Sequence, residues 1–463
     1  MAVTCKGASL SLTSTVVITG ILLTGCMPVK DMRNVLSKNP ETYATPEPGA
    51  APVEATKSTQ SSSTDSKSLQ EIEVYGGERS PIIEGLIARR SLISNGSAFD
   101  RVARAVLASD ARTAESELRA ARLRSRAEQF NWLPKIGPSI SLTSLSDFVA
   151  GLVVEQVLFD NGRLKAERDF AAHDVEAAAV GLSQATNDRV SAALKLYIGA
   201  EKARHEKRVS QKSRSKMAYF VNIIQQRVDG GVSNLADLRV AEAKLHELDA
   251  DLARAREAEL TAMAELNAMA QTDMSGVSGL NAVSPTSTGR NTPLNVLMAR
   301  AEGNRDVSEA HMRRAGLLPS VTAGGTVGDG NTNIGVSVGG DSLVGVGTGA
   351  ALEAVNASKD AARRRVQQAE EDTRRVVQRL EQRRIALRRQ QTESQALVGD
   401  ARRTYELFNE QFENSGRPIM EVVNIFENAV RLERDSVRLQ YELMDIEIDM
   451  SAMYGNLVDG GNV

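Results

Sequence analysis

Glu413-Asn414-Ser415-Gly416-Arg417-Pro418-Ile419-Met420-Glu421-Val422-Val423-Asn424 is a tight break between two long helical runs. Upstream, residues 350–413 hold no proline and a single glycine, Gly399. Downstream, Ile419, Val422, Val423, Phe426 and Val430 fall at helical spacing and mark one apolar stripe. The same arrangement occurs earlier in the chain. Residues 163–228 hold no proline and two glycines, and end in Arg227-Val228-Asp229-Gly230-Gly231-Val232-Ser233. A stripe of Leu235, Leu238, Leu245, Leu248 and Leu252 follows. At about 1.5 Å per residue each long run is a rod of roughly 95–100 Å. No compact globule contains such a rod.

Around the two breaks one pattern is written twice, which decides the fold class. Each copy reads as short helix, strand pair, very long helix, turn and medium helix. The first occupies 97–271 and the second 293–457, with a connector over 272–292 and a tail over 458–463. In the first copy a helix over 98–131 is stopped by Trp132-Leu133-Pro134; in the second, a helix over 294–315 is stopped by Leu317-Leu318-Pro319. The short and medium helices of a copy together are about as long as its long helix. Stacked end to end they would lie antiparallel beside it, with strands at one end and breaks at the other.

Ile136, Ile140 and Leu142 alternate with Ser139, Ser141 and Thr143, and a second strand is expected over 149–159. Val321, Ala323, Gly325 and Val327 alternate with Thr322, Gly324 and Thr326, and Ile334, Val336 and Val338 with Gly335, Ser337 and Gly339. Period-two alternation gives each strand two different faces. Four strands cannot close a membrane barrel, the smallest of which has about eight. If these strands enter a bilayer, several chains must pool them, because open edges in lipid leave backbone groups unpaired.

The N-terminus reads as an address. An apolar run over 10–23 follows Lys6 and ends in Leu23-Thr24-Gly25-Cys26, so 1–25 is expected to be a signal peptide. The ending resembles the bacterial lipobox, which implies a covalent lipid on Cys26. Met27 in the next position implies transit to the outer membrane. Residues 26–79, with Pro46-Glu47-Pro48-Gly49 and a Ser/Thr run, read as a solvated tether. The only cysteines are Cys5 and Cys26, so the body holds no disulfide. The net charge of −3 argues against a nucleic-acid partner. His173, His205, His246 and His311 lack metal-ligand spacing, and no nucleophile–base motif or phosphate loop is present. No enzyme activity, metal or cofactor beyond the lipid is expected.

The body resembles the TolC-type outer-membrane efflux family over about residues 97–457. The resemblance rests on Leu133-Pro134, on Val157-Leu158-Phe159-Asp160-Asn161-Gly162-Arg163 at a strand-to-helix join, and on Arg227 to Ser233 with Asp237 and Leu238 at the first tip. At the second tip it rests on Gln411-Phe412, Arg417, Glu421, Asn424 and Glu427. It implies a mainly α fold with a small β part, whose internally duplicated helical hairpins form an α-barrel. It also implies a homotrimer, each chain giving four strands to a twelve-stranded β-barrel. The family serves as exit duct for inner-membrane transporters, through a periplasmic adaptor. The chain departs from it at the second join, Val344-Gly345-Val346-Gly347-Thr348-Gly349, and shows no aromatic girdle.

The resemblance assigns roles to the breaks. Gly230, Gly231, Val232, Ser233 and Asp237 at one, and Ser415, Gly416 and Pro418 at the other, are the expected adaptor-docking tips. Ser233 is read as an N-cap and Pro418 as the first helical residue. Glu421 and Asn424, three apart on one helix face, would ring the periplasmic entrance, with Arg417 tying the tip to a neighbouring helix. The sequence at the second tip is similar to type I protein-secretion members, while drug efflux and polysaccharide export remain open. The alternative is a lipid-anchored periplasmic coiled-coil adaptor or scaffold, which shares the helix stripes but leaves the strands and Cys26 unexplained.

Overall fold

The computed structural model describes residues 80–109, 113–144, 147–281, 283, 291–328, 331–339 and 345–462. They lie within one compact unit, Ser66–Val463. The signal peptide, Cys26 and the tether fall outside the described residues, as do Val344 and part of the connector.

The elements run α1 (Pro81–Ile87), α2 (Ala98–Ala108), α3 (Thr113–Glu128), β1 (Lys135–Ser144), β2 (Asp147–Phe159), α4 (Arg163–Asp229) and α5 (Leu235–Ala270). The second half repeats the order with α6 (Leu294–Gly316), β3 (Ser320–Gly328), β4 (Asn331–Gly339), α7 (Thr348–Ser415) and α8 (Ile419–Met453). A 3-10 turn, Gly460–Asn462, follows. The long helices have 67 and 68 residues. The duplicated, mainly α class with four strands therefore stands.

Helix α4 packs against α2 and α3 at one end, against α5 beyond them, and also against α6 and α8. Helix α7 packs against α6 and α8. The expected stacking of a short and a medium helix beside each long one is thus present in both copies. The two long helices are not equivalent. Helix α4 buries 27 residues in a nearly continuous series from Ala166 to Ile224, whereas α7, among its described residues, buries Val355, Ala362, Thr373, Arg384, Leu387 and Ser394 and leaves Ile385, Leu397 and Leu407 exposed. The cause is the number of partners: α4 is enclosed by both copies, and α7 has helices on fewer sides.

Four differences from the sequence reading have physical reasons. The helix expected over 98–131 is two helices. Ser109 ends α2, and the Val106 carbonyl there accepts from Arg189 Nε at 3.2 Å instead of serving a longer helix. Ser109 Oγ also donates to the Met269 carbonyl at 2.8 Å, which fastens this end to α5. Residues 80–96, assigned to neither tether nor repeat, contain α1, with Ser80 accepting from the Ile82 amide at its N-terminus. The tail is built in. The Gly460 amide donates to the Arg89 carbonyl, and Asp459 accepts from the Ser91 amide at 2.9 Å. Arg89 donates to the carbonyls of Tyr454 at 2.6 Å and Thr292 at 2.9 Å, joining N-terminal segment, connector and C-terminus. Burial lowers its guanidinium to about 10. Finally, Phe130 and Trp132 before β1 and Phe159 at the end of β2 are each exposed, although apolar rings at helix and strand ends are expected to pack.

The strands form one antiparallel sheet in the order β1-β2-β3-β4. Its register sets Ile136 opposite Val154, Leu152 opposite Val327, and Val336 opposite Ala323. Ile136, Leu152, Val154, Val327, Ile334, Val336 and Val338 are all exposed. The other face carries Glu155, Thr322, Asn333 and Ser337, with Thr322 and Ser337 hydroxyls bonded at 2.6 Å. At the β2–α4 join the Asp160 carboxylate accepts from the amides of Gly162 at 3.0 Å and Leu164 at 2.6 Å, capping α4. Asn161 Nδ2 donates to the Pro319 carbonyl at 2.7 Å and locks this join to the start of β3.

Candidate functional site

The far ends of α4–α5 and α7–α8 meet over one apolar cluster. Phe220 and Ile224 of α4, Leu238 and Ala241 of α5, and Ile419, Val422, Val423 and Phe426 of α8 are buried there. Phe426 is the hub: its ring lies 5.8 Å from Phe220, edge-on, and 5.2 Å from Tyr405 of α7. Burial pushes the Tyr405 phenol up to about 12, and its hydroxyl has no hydrogen-bond partner. The stripes of the sequence therefore hold the two breaks side by side.

At the first tip Gly231 takes φ +73°, a left-handed conformation that glycine adopts without strain. The amides of Val232 and Ser233 donate to the Arg227 carbonyl at 2.7 and 3.1 Å. Ser233 thus belongs to the wrap at the end of α4, and is not the N-cap. That role falls to Asn234, whose Oδ1 accepts from the Ala236 amide at 3.0 Å. Asp237 lies in the first turn of α5. Val232 and Leu235 are exposed. At the second tip Gly416 takes φ +72°. Pro418 is the residue before the helix and not its first position, because Ile419 opens α8.

Glu421 and Asn424 are both exposed on the face of α8 opposite Val422, Val423 and Phe426. Arg417 Nη1 donates to Glu421 Oε2 at 2.7 Å, and the guanidinium lies 4.2 Å from the Phe408 ring of α7. Arg417 thus holds its own helix start against the preceding helix. Arg227 lies 5.0 Å from the Phe412 ring, so each tip sets one arginine over one ring of α7. The sequence reading left the ring roles unassigned, although Tyr405, Phe408 and Phe412 fall at helical steps of one stripe.

Above the tip, two ion pairs cross from α5 to α8: Lys244 with Glu427, and the buried Asp251 with Arg434, which Arg254 also serves. They line a cleft of about 300 Å³ with Asn424, Asn428 and Arg431. These pairs were not singled out from the sequence. Among the described residues no group of three or more metal-ligating side chains gathers. No helix there is long and apolar enough to cross a membrane, which says nothing of a β-barrel.

Residues 108–270, most of the first repeat, match the family model described as outer membrane efflux protein. This match to the first repeat supports the resemblance to the TolC-type outer-membrane efflux family. The TolC-type fold extends over both repeats. The outer membrane protein VceC of Vibrio cholerae superposes with a TM-score of 0.68 at 14% identity, covering 78% of this chain and 97% of that one. The CmeC outer membrane channel of Campylobacter jejuni gives 0.66 at 14%, covering 78% and 86%. The MtrE outer membrane channel of Neisseria gonorrhoeae, in its open state, gives 0.67 at 15%, covering 84% and 97%. No protein of curated function matches the sequence.

Proposed function

We propose that the protein is the outer-membrane exit duct of a tripartite export system. The observation that carries this reading is the open sheet: four strands with an exposed apolar face, set at one end of the long helices. Ile334, Val336 and Val338 of β4 are 66–80% exposed, which suits hydrocarbon. The outer edges of β1 and β4 have no strand partner among the described residues. In lipid each unpaired edge group costs several kcal/mol. Pairing β1 of one copy with β4 of the next removes both edges, and three copies give twelve strands. The exposed face of α7 then serves as contact and lumen wall. Cargo passes through the duct without chemistry.

In this reading Glu421 and Asn424 repeat around the closed end as an acidic ring and an amide ring, which favours cations. The exposed Val232 and Leu235 beside Gly230, Gly231, Ser233 and Asp237, with Ser415, Gly416 and Pro418, form the surface that meets a periplasmic adaptor and, through it, an inner-membrane transporter. The sequence of the second tip favours type I protein secretion. A lipid on Cys26 tethers the N-terminus to the same membrane.

Cell fractionation followed by planar-bilayer recording tests this. The protein is expected in the outer-membrane fraction, and the purified material is expected to give discrete conductance steps. A soluble or inner-membrane protein without conductance would sink the duct reading.

A further inference from the structure

The face of the sheet that carries Glu155, Thr322 and Ser337 lies opposite the exposed apolar one, and would line the bore of the proposed barrel. Its register is regular from Lys135 to Leu142, from Gly151 to Val157 and along all of β4, so one rung can be followed across the four strands. Lys135 stands opposite Glu155, Glu155 opposite Gly324, and Gly324 opposite Gly335. Two long charged side chains are thus followed by two residues with none. Lys135 and Glu155 are both exposed, and a Cβ on Gly335 would meet nothing within 4 Å.

The rungs on either side, two residues or roughly 7 Å away, are different. Toward the hairpins the face presents nothing longer than Asn333, which lies opposite Thr326. Toward the helices it presents nothing longer than Val157, which lies opposite Thr322. Over these three rungs Lys135 and Glu155 are the only charged residues. Opposite charges directly across an antiparallel pair attract, so each side chain favours the other at this level. Twelve strands about 4.8 Å apart and tilted by about 40° wrap a backbone cylinder of roughly 12 Å radius. In so wide a bore the short side chains of the flanking rungs leave the path open, and the long pair narrows it.

We propose that Lys135 and Glu155, repeated in three copies, form a charge-balanced constriction inside the barrel, near the level where cargo passes from the helical duct into the strands. The proposal rests on the barrel reading above. Around this ring three Lys–Glu ridges alternate with three floors made by Gly324 and Gly335. The ring limits cargo by width. Its balanced charges favour neither anions nor cations, unlike the acidic entrance proposed at the far tip.

The test is the access of reagents from outside the cell, which is independent of whether the tip is closed. Asn333→Cys lies on the hairpin side of the ring and Ser337→Cys on its helix side. Intact cells carrying either variant are treated with maleimide-linked polyethylene glycols of graded mass. Wild-type cells give the background from Cys5 and Cys26. Asn333→Cys is expected to accept heavier polymers than Ser337→Cys, and adding Lys135→Ser with Glu155→Ser is expected to bring the two limits together. Small methanethiosulfonates of opposite charge are expected to react with Ser337→Cys at similar rates. Glu155→Gln is expected to favour the anionic reagent by roughly tenfold at low salt, and Lys135→Gln the cationic one. Equal size limits at the two cysteines, or charge variants that leave the rate ratio unchanged, overturn the constriction and leave the duct reading standing. Cysteines that react only with a membrane-soluble maleimide place this face in lipid and overturn both.

Discussion

Arg417 donates to Glu421 across one turn at the start of α8, with Nη1 and Oε2 2.7 Å apart. The acidic position of the proposed entrance is therefore part-neutralised within its own chain. Exposed pairs of this kind contribute only about 0.2–1 kcal/mol to stability, so the consequence is electrostatic. Reversal potentials in planar bilayers under a salt gradient are expected to shift toward greater cation preference in Arg417→Gln. They are expected to shift away from it in Glu421→Gln. Identical reversal potentials in wild type and both variants would remove Glu421 from the pore.

Phe426 joins Phe220, Tyr405 and the start of α8 in one cluster. Phe426→Ala is expected to cost about 3–5 kcal/mol locally, and the cluster holds both tips. Hydrogen exchange is expected to rise at 220–240 and 410–430 while the amides around Tyr197, in a different cluster, keep their protection. Uniform loss of protection along the chain would show that the tip has no separate core.

Gly303 of α6 lies against Val366 of α7. A Cβ there would lie 2.8 Å from Cγ2 of Val366. Gly303→Ala is expected to lower the thermal midpoint despite alanine's better helix propensity. Val366→Ala is expected to restore much of it in the double variant. Additive losses in the double-mutant cycle would contradict the contact.

Asp445 of α8 is held above the usual carboxylate range, chiefly by burial, with Lys195 opposing and Asp449 reinforcing the shift. One of its oxygens has no hydrogen-bond partner. The folded state thus binds this proton more tightly than the unfolded state does. The stability linked to it is present below the unfolded pKa and is lost as pH rises through the raised value. Asp445→Asn is therefore expected to raise the thermal midpoint at neutral pH, with the gain shrinking in acid. A variant that melts lower at neutral pH would assign Asp445 a stabilising ion pair with Lys195.

The periodic parts of this fold were legible because their physics is local. Long proline-free runs gave α4 and α7 to within two residues, and the alternation around Val321 and Ile334 gave β3 and β4. The glycines at the breaks marked both tips, and two of them, Gly231 and Gly416, take positive φ. What escaped depends on partners distant in sequence. The split at Ser109 follows from Arg189 and Met269, and the C-terminal tail is placed by Arg89. The N-cap was misplaced by one residue because Ser233 and Asn234 have equal capping chemistry, and the Arg227 carbonyl claims the Ser233 amide.

The central claim is that three copies pool their four strands into one closed barrel. The mass of the detergent-solubilised protein, measured by light scattering with the detergent contribution subtracted, tests it most directly. The account predicts a particle of three chains that runs as a trimer on a denaturing gel until heated. A monomer or a dimer would contradict it, because a monomer cannot close a barrel and a dimer would close one of eight strands instead of twelve.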